Sequence, residues 1–159
     1  MMNQRITRRR VGMVLGALAA MPVSGQGQKL PPATIHFEID LTAPAARIYQ
    51  VLLDAKQFSA CTKLPAEMDS RPGGTFKLFD GQIEGRNVEL VPDKRIVQAW
   101  RPAHWPAGEY SIAKFELTAH ITGTRLIFDH KGFPAEEHDS LSDGWTSHYW
   151  QPLHKYLNA

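Results

Sequence analysis

A chain of 159 residues, 43% of them hydrophobic, predicts one domain that can bury its own core. The 18 Lys and Arg residues exceed the 16 Asp and Glu residues by two, and no basic stripe carries interleaved aromatics, so we expect no nucleic-acid partner. Cys61 is the single cysteine of the sequence, which excludes an internal disulfide.

The first 25 residues have the pattern of an export signal. Four arginines, among them Arg8 and Arg9, precede the apolar run VGMVLGALAAMPV, and small and polar residues follow it. The run is too short for a stable membrane span. A threonine followed by Arg8 and Arg9 resembles the twin-arginine motif; a basic segment for the general export route and a true start at Met13 are the alternatives. We therefore expect residues 1–25 to direct export, to the periplasm.

Residues 26–33, QGQKLPPA, are polar and contain prolines, which predicts a linker before a domain at residues 34–158. The domain begins with TIHFEIDL, in which apolar and polar residues alternate as in a half-buried strand. TAPAARIYQVLLDAKQF then predicts a helix over residues 42–58, with Pro44 in its first turn. A short further helical turn is expected from Phe58 to Thr62.

Between Gly73 and Gly132, short strand-like runs alternate with turn residues, as in an antiparallel meander. The runs are GGTFKLFDG, QIEGRNVELV, RIVQAWR, YSIAKFELTAHI and TRLIFDH. Gly85 lies inside the second run and predicts a β-bulge that curves the sheet. One strand, a helical pair, a meander and a final helix together predict an α+β fold, with helices on one face of a bent antiparallel sheet.

The segment GWTSHYWQPLHKYL predicts the final helix, although Pro152 lies in its middle. Because proline has no N–H and its ring crowds the preceding turn, we expect the helix to kink or to end there. At about 100° per residue, Trp150 falls outside the apolar stripe. The stripe itself comprises Leu141, Trp145, His148, Tyr149, Pro152, Leu153 and Tyr156.

Several short motifs occur in the order found in one protein family. They are GG at 73–74, ELVP at 89–92, IVQAW at 96–100, GTRL at 123–126, HKGFP at 130–134 and GW at 144–145. From about Thr34 to Leu157 the chain resembles the domain of the Hsp90 ATPase activator homologues (AHSA1-like), members of the SRPBCC superfamily of START-like and birch-pollen-allergen-like proteins. The resemblance implies a helix-grip fold, in which a curved antiparallel sheet wraps around a long C-terminal helix and a hydrophobic cavity lies between them.

The inferred strand register places aromatic side chains on the inner faces of the sheet and of the last helix. Apolar walls with a few polar groups are typical of a small-molecule pocket, and plain core packing is the alternative. Two histidines in the set would either hydrogen-bond a ligand or be tied to the protein interior. The predicted cavity set is Trp100, Phe115, Phe128, His130, Trp145, His148 and Tyr149.

The sequence contains no pattern typical of a catalytic or metal site. The seven histidines are scattered without a paired motif, so we expect no metal. Cys61 has no histidine fixed beside it, and Asp129 alternates with His130, so Asp129 should point to the opposite face of the sheet. We therefore predict no catalytic residues and no cofactor.

The leading functional hypothesis is an exported, noncatalytic protein that binds a small apolar or amphipathic ligand between the C-terminal helix and the sheet. One alternative, implied by the resemblance, is a cochaperone-like or other protein-interaction module. Another is an enzyme of the cyclase or hydrolase kind found in the same superfamily, for which the sequence offers no acid/base pair.

Overall fold

The structure is a computed structural model that describes residues 33–158. The predicted export signal with Arg8 and Arg9, and all of the predicted linker except Ala33, lie outside the described residues. Within residues 33–158, no helix is both long enough and apolar enough to cross a bilayer.

Within residues 33–158, seven antiparallel strands form one sheet in the order β1-β7-β6-β5-β4-β3-β2. The chain begins at one edge, passes through two helices to the other edge, and returns strand by strand until β7 pairs with β1. The strands are β1 (Ala33–Leu41), β2 (Ala66–Met68), β3 (Thr75–Leu78), β4 (Ile83–Val91), β5 (Arg95–Pro102), β6 (Ser111–His120) and β7 (Gly123–Phe133).

The helices of the described residues lie in two places. Two short helices connect β1 to β2, and a long one follows β7 after a 3₁₀ turn at Ala135–Glu137. We call residues 138–157, which run without a break from α3 through a π-helical turn to α4, the C-terminal helix. The helices are α1 (Ala45–Leu53), α2 (Ala55–Thr62), α3 (His138–Trp145) and α4 (Gln151–Leu157), and the π-helical turn is Thr146–Trp150.

The first helical segment is divided at Asp54, which corrects the single helix predicted over residues 42–58. Asp54 has an extended backbone (φ −94°, ψ 119°), and its Oδ1 accepts a hydrogen bond of 2.9 Å from the Gln57 backbone N–H. An aspartate that caps a helix start in this way stabilises a new helix after the break. The second helix therefore begins at Ala55, earlier than the short turn expected from Phe58.

The β-bulge of β4 lies at Val88, which corrects its predicted position at Gly85. The register of β4 against β5 shifts at Val88, and the Val88 side chain is exposed. Gly85 is required for a different reason, because a Cβ atom there would clash with the Phe76 ring and with the Ala99 carbonyl oxygen. The glycine thus lets the Phe76 ring pack directly against the β4 backbone.

The C-terminal helix accommodates Pro152 with a π-helical turn just before it. The turn spans Thr146–Trp150, and the Gln151 N–H donates to the carbonyl five residues earlier. The proline then lies in the first turn of α4, where proline is tolerated. Because the π turn is wider than an α turn, both Tyr149 and Trp150 reach the inner face and are buried. This corrects the predicted place of Trp150 outside the apolar stripe.

The core lies between the inner face of the sheet and the C-terminal helix. Trp145 and Trp150 of the helix pack on Phe128 of β7, with ring centroids 4.2 and 5.0 Å away. Phe115 of β6 lies 5.0 Å from the same ring, and Ile48 of α1 is fully buried. One antiparallel sheet closed by a long C-terminal helix confirms the predicted α+β helix-grip fold.

Candidate functional site

An open cleft of about 460 Å³ lies between the middle of the C-terminal helix and one end of the sheet. Its floor consists of the buried rings of Trp100, Trp145 and Tyr149, and its mouth is flanked by the exposed His104 and His148. The lining is mostly apolar, as in small-molecule sites. The full lining is Leu64, Phe79, Gln82, Ile83, Trp100, Pro102, Ala103, His104, Glu137, Ser140, Leu141, Gly144, Trp145, His148 and Tyr149.

The structure divides the predicted cavity set into two groups. Trp100, Trp145, His148 and Tyr149 line the cleft. The other three residues, Phe115, Phe128 and His130, are buried in the core away from the cleft, so their predicted position in the cavity is corrected. Strand alternation predicts which side of a sheet a residue faces, but not whether the space in front of it is filled.

His130 is a structural residue of the core. It is 0% exposed; its Nδ1 accepts a hydrogen bond of 3.0 Å from Trp145 Nε1–H, and its Nε2 lies 2.6 Å from Ser111 Oγ. Because Nδ1 accepts, the ring proton is on Nε2 and is donated to Ser111, whose hydroxyl donates to the Trp100 carbonyl. Burial lowers the pKa of His130 to about 3, so the ring is neutral.

His148 lies at the mouth of the cleft and is exposed. Its Nδ1 is 3.2 Å from the Gly144 carbonyl oxygen and 2.9 Å from Ser147 Oγ, and its ring meets the Phe79 ring edge-on at 5.8 Å. His130 has its own partners inside the core. Of the two histidines in the predicted cavity set, His148 is therefore the one positioned to meet a molecule in the cleft.

Two polar atoms in the floor of the cleft have no hydrogen-bond partner among the described residues. They are the indole Nε1 of Trp100 and the hydroxyl of Tyr149, which lie next to each other. Burial raises the pKa of Tyr149 well above its usual range, and the nearby Trp100 N–H offsets this only in part. A buried polar group without a partner lowers the stability of a protein by about 1–3 kcal/mol, so these two groups destabilise the fold.

Phe79 forms part of the cleft wall in an unusual backbone conformation. Its φ is 55°, and Asp80 and Gly81 after it also have positive φ. A bulky residue in the left-handed region is strained, and such strain clusters at ligand sites. The Phe79 ring packs 5.3 Å from the Tyr149 ring and 5.5 Å from the Phe58 ring. No local pattern in the sequence predicts that Phe79 forms part of the wall.

The β5–β6 connection, residues 103–110, forms the second wall of the cleft. Two sets of side-chain hydrogen bonds hold it in place. The Trp105 indole N–H donates a hydrogen bond of 2.7 Å to Glu137 Oε1, which joins the connection to the start of the C-terminal helix. The buried Arg101 guanidinium donates to the carbonyl oxygens of Trp105 and Pro106, and it pairs with Glu84. The sequence predicts only turn residues between these strands, because the Trp105–Glu137 contact joins residues 32 positions apart and leaves no local pattern.

Gly144 is the smallest residue of the cleft lining on the helix side. It lies inside α3, and a Cβ atom added to it would meet no atom within 4 Å. Its backbone is helical, so larger residues fit without strain. The GW motif at 144–145 gives no sign of this position, in which Gly144 lines the cleft with open space where a side chain would be.

Neither Cys61 nor Asp129 lines the cleft. No group of three or more His, Cys, Asp or Glu residues there could hold a metal ion. Burial raises the pKa of Cys61 to about 11, which makes its thiol a poor nucleophile. Asp129 lies on the outer face, as predicted, where its carboxylate pairs with His36 Nδ1 at 2.8 Å and Lys114 Nζ at 3.1 Å.

Solved structures with the same architecture include two of similar size. An HSP90 activator from Plasmodium falciparum superposes with a TM-score of 0.70 at 24% identity, over 80% of this chain and 96% of that one. A protein from Chromobacterium violaceum superposes with a TM-score of 0.66 at 26% identity, over 79% of this chain and 97% of the other. These likenesses support the fold.

Sequence comparison identifies the family. Among curated proteins, the human activator of 90 kDa heat shock protein ATPase homolog 1 is 32% identical over 128 residues, which is 80% of this chain. The chain spans only 38% of the length of that relative. The model of one family matches residues 42–158, from the end of β1 to the end of the C-terminal helix. The chain therefore belongs to the family of Activator of Hsp90 ATPase homolog 1-like proteins.

Proposed function

We propose that this protein is an exported, noncatalytic binding protein that holds a small apolar or amphipathic molecule in the cleft between the C-terminal helix and the sheet. The observation that carries the proposal is the mostly apolar, open cleft whose floor contains two buried polar atoms without partners. Its volume of about 460 Å³ is in the range of small-molecule sites. Export rests on the arginines and the apolar run of residues 1–25.

The energetics of such a site favour an amphipathic ligand over a pure hydrocarbon. Burying ~200 Å² of apolar ligand surface at ~25 cal/mol/Å² contributes about 5 kcal/mol before the costs of association. Micromolar binding corresponds to about 8 kcal/mol, so polar contacts must supply part of the difference. The floor and the mouth of the cleft both offer polar groups for this purpose.

Gly144 gives a direct test of the cleft. The neutral apolar dye N-phenyl-1-naphthylamine is titrated into the full chain, and its fluorescence is expected to rise as it enters the cleft. Gly144→Phe places a ring in the open space and should abolish the rise. The matched control Gly144→Ala adds one methyl group and should leave binding nearly unchanged. Because both residues favour a helix more than glycine does, neither variant should be less stable than the wild type.

The outcome that contradicts ligand binding is equally clear. If the dye binds wild type and Gly144→Phe with the same affinity, the cleft is not the binding site. If the dye and a set of fatty acids, aromatic acids and polyketide-like compounds all fail to bind or to raise the melting temperature, the protein is not a binder of this kind.

A protein-interaction role is the second candidate, because the curated relatives are named as activators of a heat-shock ATPase. The chain corresponds to only part of those relatives, and export would separate it from a cytosolic chaperone. The test is to add the purified full chain to the 90 kDa heat-shock ATPase of the same organism. A dose-dependent rise in ATP hydrolysis would favour this role over small-molecule binding.

A further inference from the structure

We infer that the molecule bound in the cleft carries a neutral oxygen acceptor, such as a ketone, ester or amide carbonyl, at its buried end. In this arrangement the Trp100 indole N–H and the Tyr149 hydroxyl both donate hydrogen bonds to that oxygen. The inference rests on the proposed function and specifies the chemical class of the ligand. It concerns a polar anchor at the floor of the cleft, below the two histidines of the mouth.

The two unpaired groups determine the hydrogen-bonding character of the buried end. An indole N–H only donates, so the partner of Trp100 must be an acceptor. Burial keeps the Tyr149 hydroxyl protonated, so it can also donate. Trp100 is 3% exposed and Tyr149 is 5% exposed, so water does not readily satisfy either group. A ligand oxygen, which has two lone pairs, can accept from both donors at once.

The charges around the cleft determine that the acceptor is neutral. Among the described residues, no lysine or arginine lines it, and the histidine and acidic residues of its lining are His104, His148 and Glu137. Both histidines are exposed at the mouth, and Glu137 is held by the Trp105 indole N–H. A carboxylate at the floor would therefore be buried without a counter-charge, which is far more costly than burying a carbonyl.

The indole of Trp150 shows that an unpaired buried group is not by itself a ligand contact. Trp150 Nε1 is also buried without a partner among the described residues. Its ring, however, is enclosed by Phe37 at 5.9 Å and Phe128 at 5.0 Å, and Trp150 does not line the cleft. Trp100 and Tyr149 differ from it because they are neighbours in the floor, where a ligand can reach them after a small side-chain movement.

The test uses 2-nonanone labelled with ¹³C at its carbonyl carbon and the full-length protein. Hydrogen bonding should shift the bound carbonyl resonance downfield of its position in hydrocarbon solvent. Tyr149→Phe removes one donor and should weaken binding about five- to tenfold while reducing this shift. Trp100→Phe should act in the same direction if it folds. Trp150→Phe and Tyr156→Phe are matched controls outside the cleft, and both should bind the ketone as the wild type does.

Two comparisons separate this inference from the proposed function. N-phenyl-1-naphthylamine has no carbonyl, so Tyr149→Phe should leave its binding unchanged. Nonanoate should bind at least tenfold more weakly than 2-nonanone at pH 7. If the dye binds but the ketone signal and affinity are the same in wild type and Tyr149→Phe, the carbonyl anchor is wrong and the cleft remains a binding site. If neither the dye nor the ketone binds, both proposals fail.

Discussion

His130 joins three parts of the fold through a single neutral ring. It lies on β7, accepts a hydrogen bond from Trp145 of the C-terminal helix and donates to Ser111 of β6. Ser111 in turn donates to the Trp100 carbonyl of β5. Because Trp100 and Trp145 both form the floor of the cleft, this chain of hydrogen bonds holds the floor in place without contacting a ligand.

Proton uptake by His130 in the unfolded chain should destabilise the folded protein in mild acid. Its pKa is about 3 in the folded protein and about 6.5 in the unfolded chain, so the unfolded state binds more protons between these values. The His130 contribution to stability is therefore complete above pH 6.5 and is lost as pH falls, by up to about 1.4 kcal/mol per pH unit. Urea unfolding of wild type and His130→Gln at pH 6 and pH 4.5 measures this. The variant, which cannot titrate there, should show the smaller pH dependence.

Other groups require controls in the same experiment. A hydrogen bond to Asp129 raises the pKa of His36, so its contribution is present at low pH and is lost as pH rises. Hydrogen bonds from Arg125 and Arg71 lower the pKa values of Asp40 and Asp69, whose contributions are lost only as pH falls below about 4. His36→Gln serves as the control. Equal pH dependence in wild type and His130→Gln would contradict the assigned role of His130.

At the level of single residues, strand alternation correctly predicted which side chains face the inside of the sheet. The inward side of Trp100, Phe115, Phe128 and His130 followed from strand periodicity, and all four are buried. Whether each of these side chains lines the cleft or is enclosed in the core could not be predicted from strand periodicity. Whether an inward side chain meets open space or another ring depends on residues distant in sequence, such as the Trp150 ring that covers Phe128.

The π-helical turn of the C-terminal helix links Pro152 to the packing of the core. Two consecutive aromatic residues of this turn, Tyr149 and Trp150, face inward and are buried. Trp150 thereby reaches the core, while Tyr149 reaches the floor of the cleft. Turns of this kind are frequent at functional sites.

Replacing Pro152 with alanine should change the free energy of unfolding by less than about 1 kcal/mol. An alanine in a helix interior is favoured over proline by about 3 kcal/mol. Pro152, however, lies in the first turn of α4, where proline is tolerated, so its replacement should recover little of that free energy. An α-helical realignment would also turn Trp150 out of the core. Urea unfolding and tryptophan emission check this, with Lys155→Ala as the control for general helix preference. A gain near 3 kcal/mol with unchanged emission would contradict a packing role for the π turn.

The elements of the sheet were easier to predict than their irregularities. In β5, β6 and β7, buried and more exposed residues alternate over six or more consecutive positions, which identifies these strands in isolation. The three-residue β2 has no such pattern and was missed. The helix break at Asp54 was also missed, although an aspartate followed by helix-forming residues is a recognisable cap signal.

At the scale of the whole molecule, we propose separate roles for the domain and for the segment that precedes it. The domain supplies the fold and the cleft, and the family model matches it from Thr42 to Asn158. The arginines and the apolar run precede it. Family membership was predictable from ordered motifs such as HKGFP and GW, whereas the ligand was not, because the same fold is used for different functions.

Export should depend on the arginine pair if the twin-arginine route is used. Changing Arg8 and Arg9 together to lysine keeps the charge but removes the motif that the route recognises. The double variant should accumulate in the cytoplasm, as measured by cell fractionation and by the N-terminal sequence of the recovered protein. Normal export of the variant would indicate the general route. Wild-type protein found only in the cytoplasm, with residues 1–25 intact, would contradict export.

Native mass spectrometry of the protein purified from its own compartment tests ligand binding most directly. The wild type should retain a small molecule that adds a discrete mass, and mild collisional activation should release it for identification. Gly144→Phe, purified in parallel, should have only the mass of the polypeptide, because its ring fills the cleft. Wild type and variant that both have the bare polypeptide mass, together with no melting-temperature shift by any compound tested, would contradict a ligand-binding function.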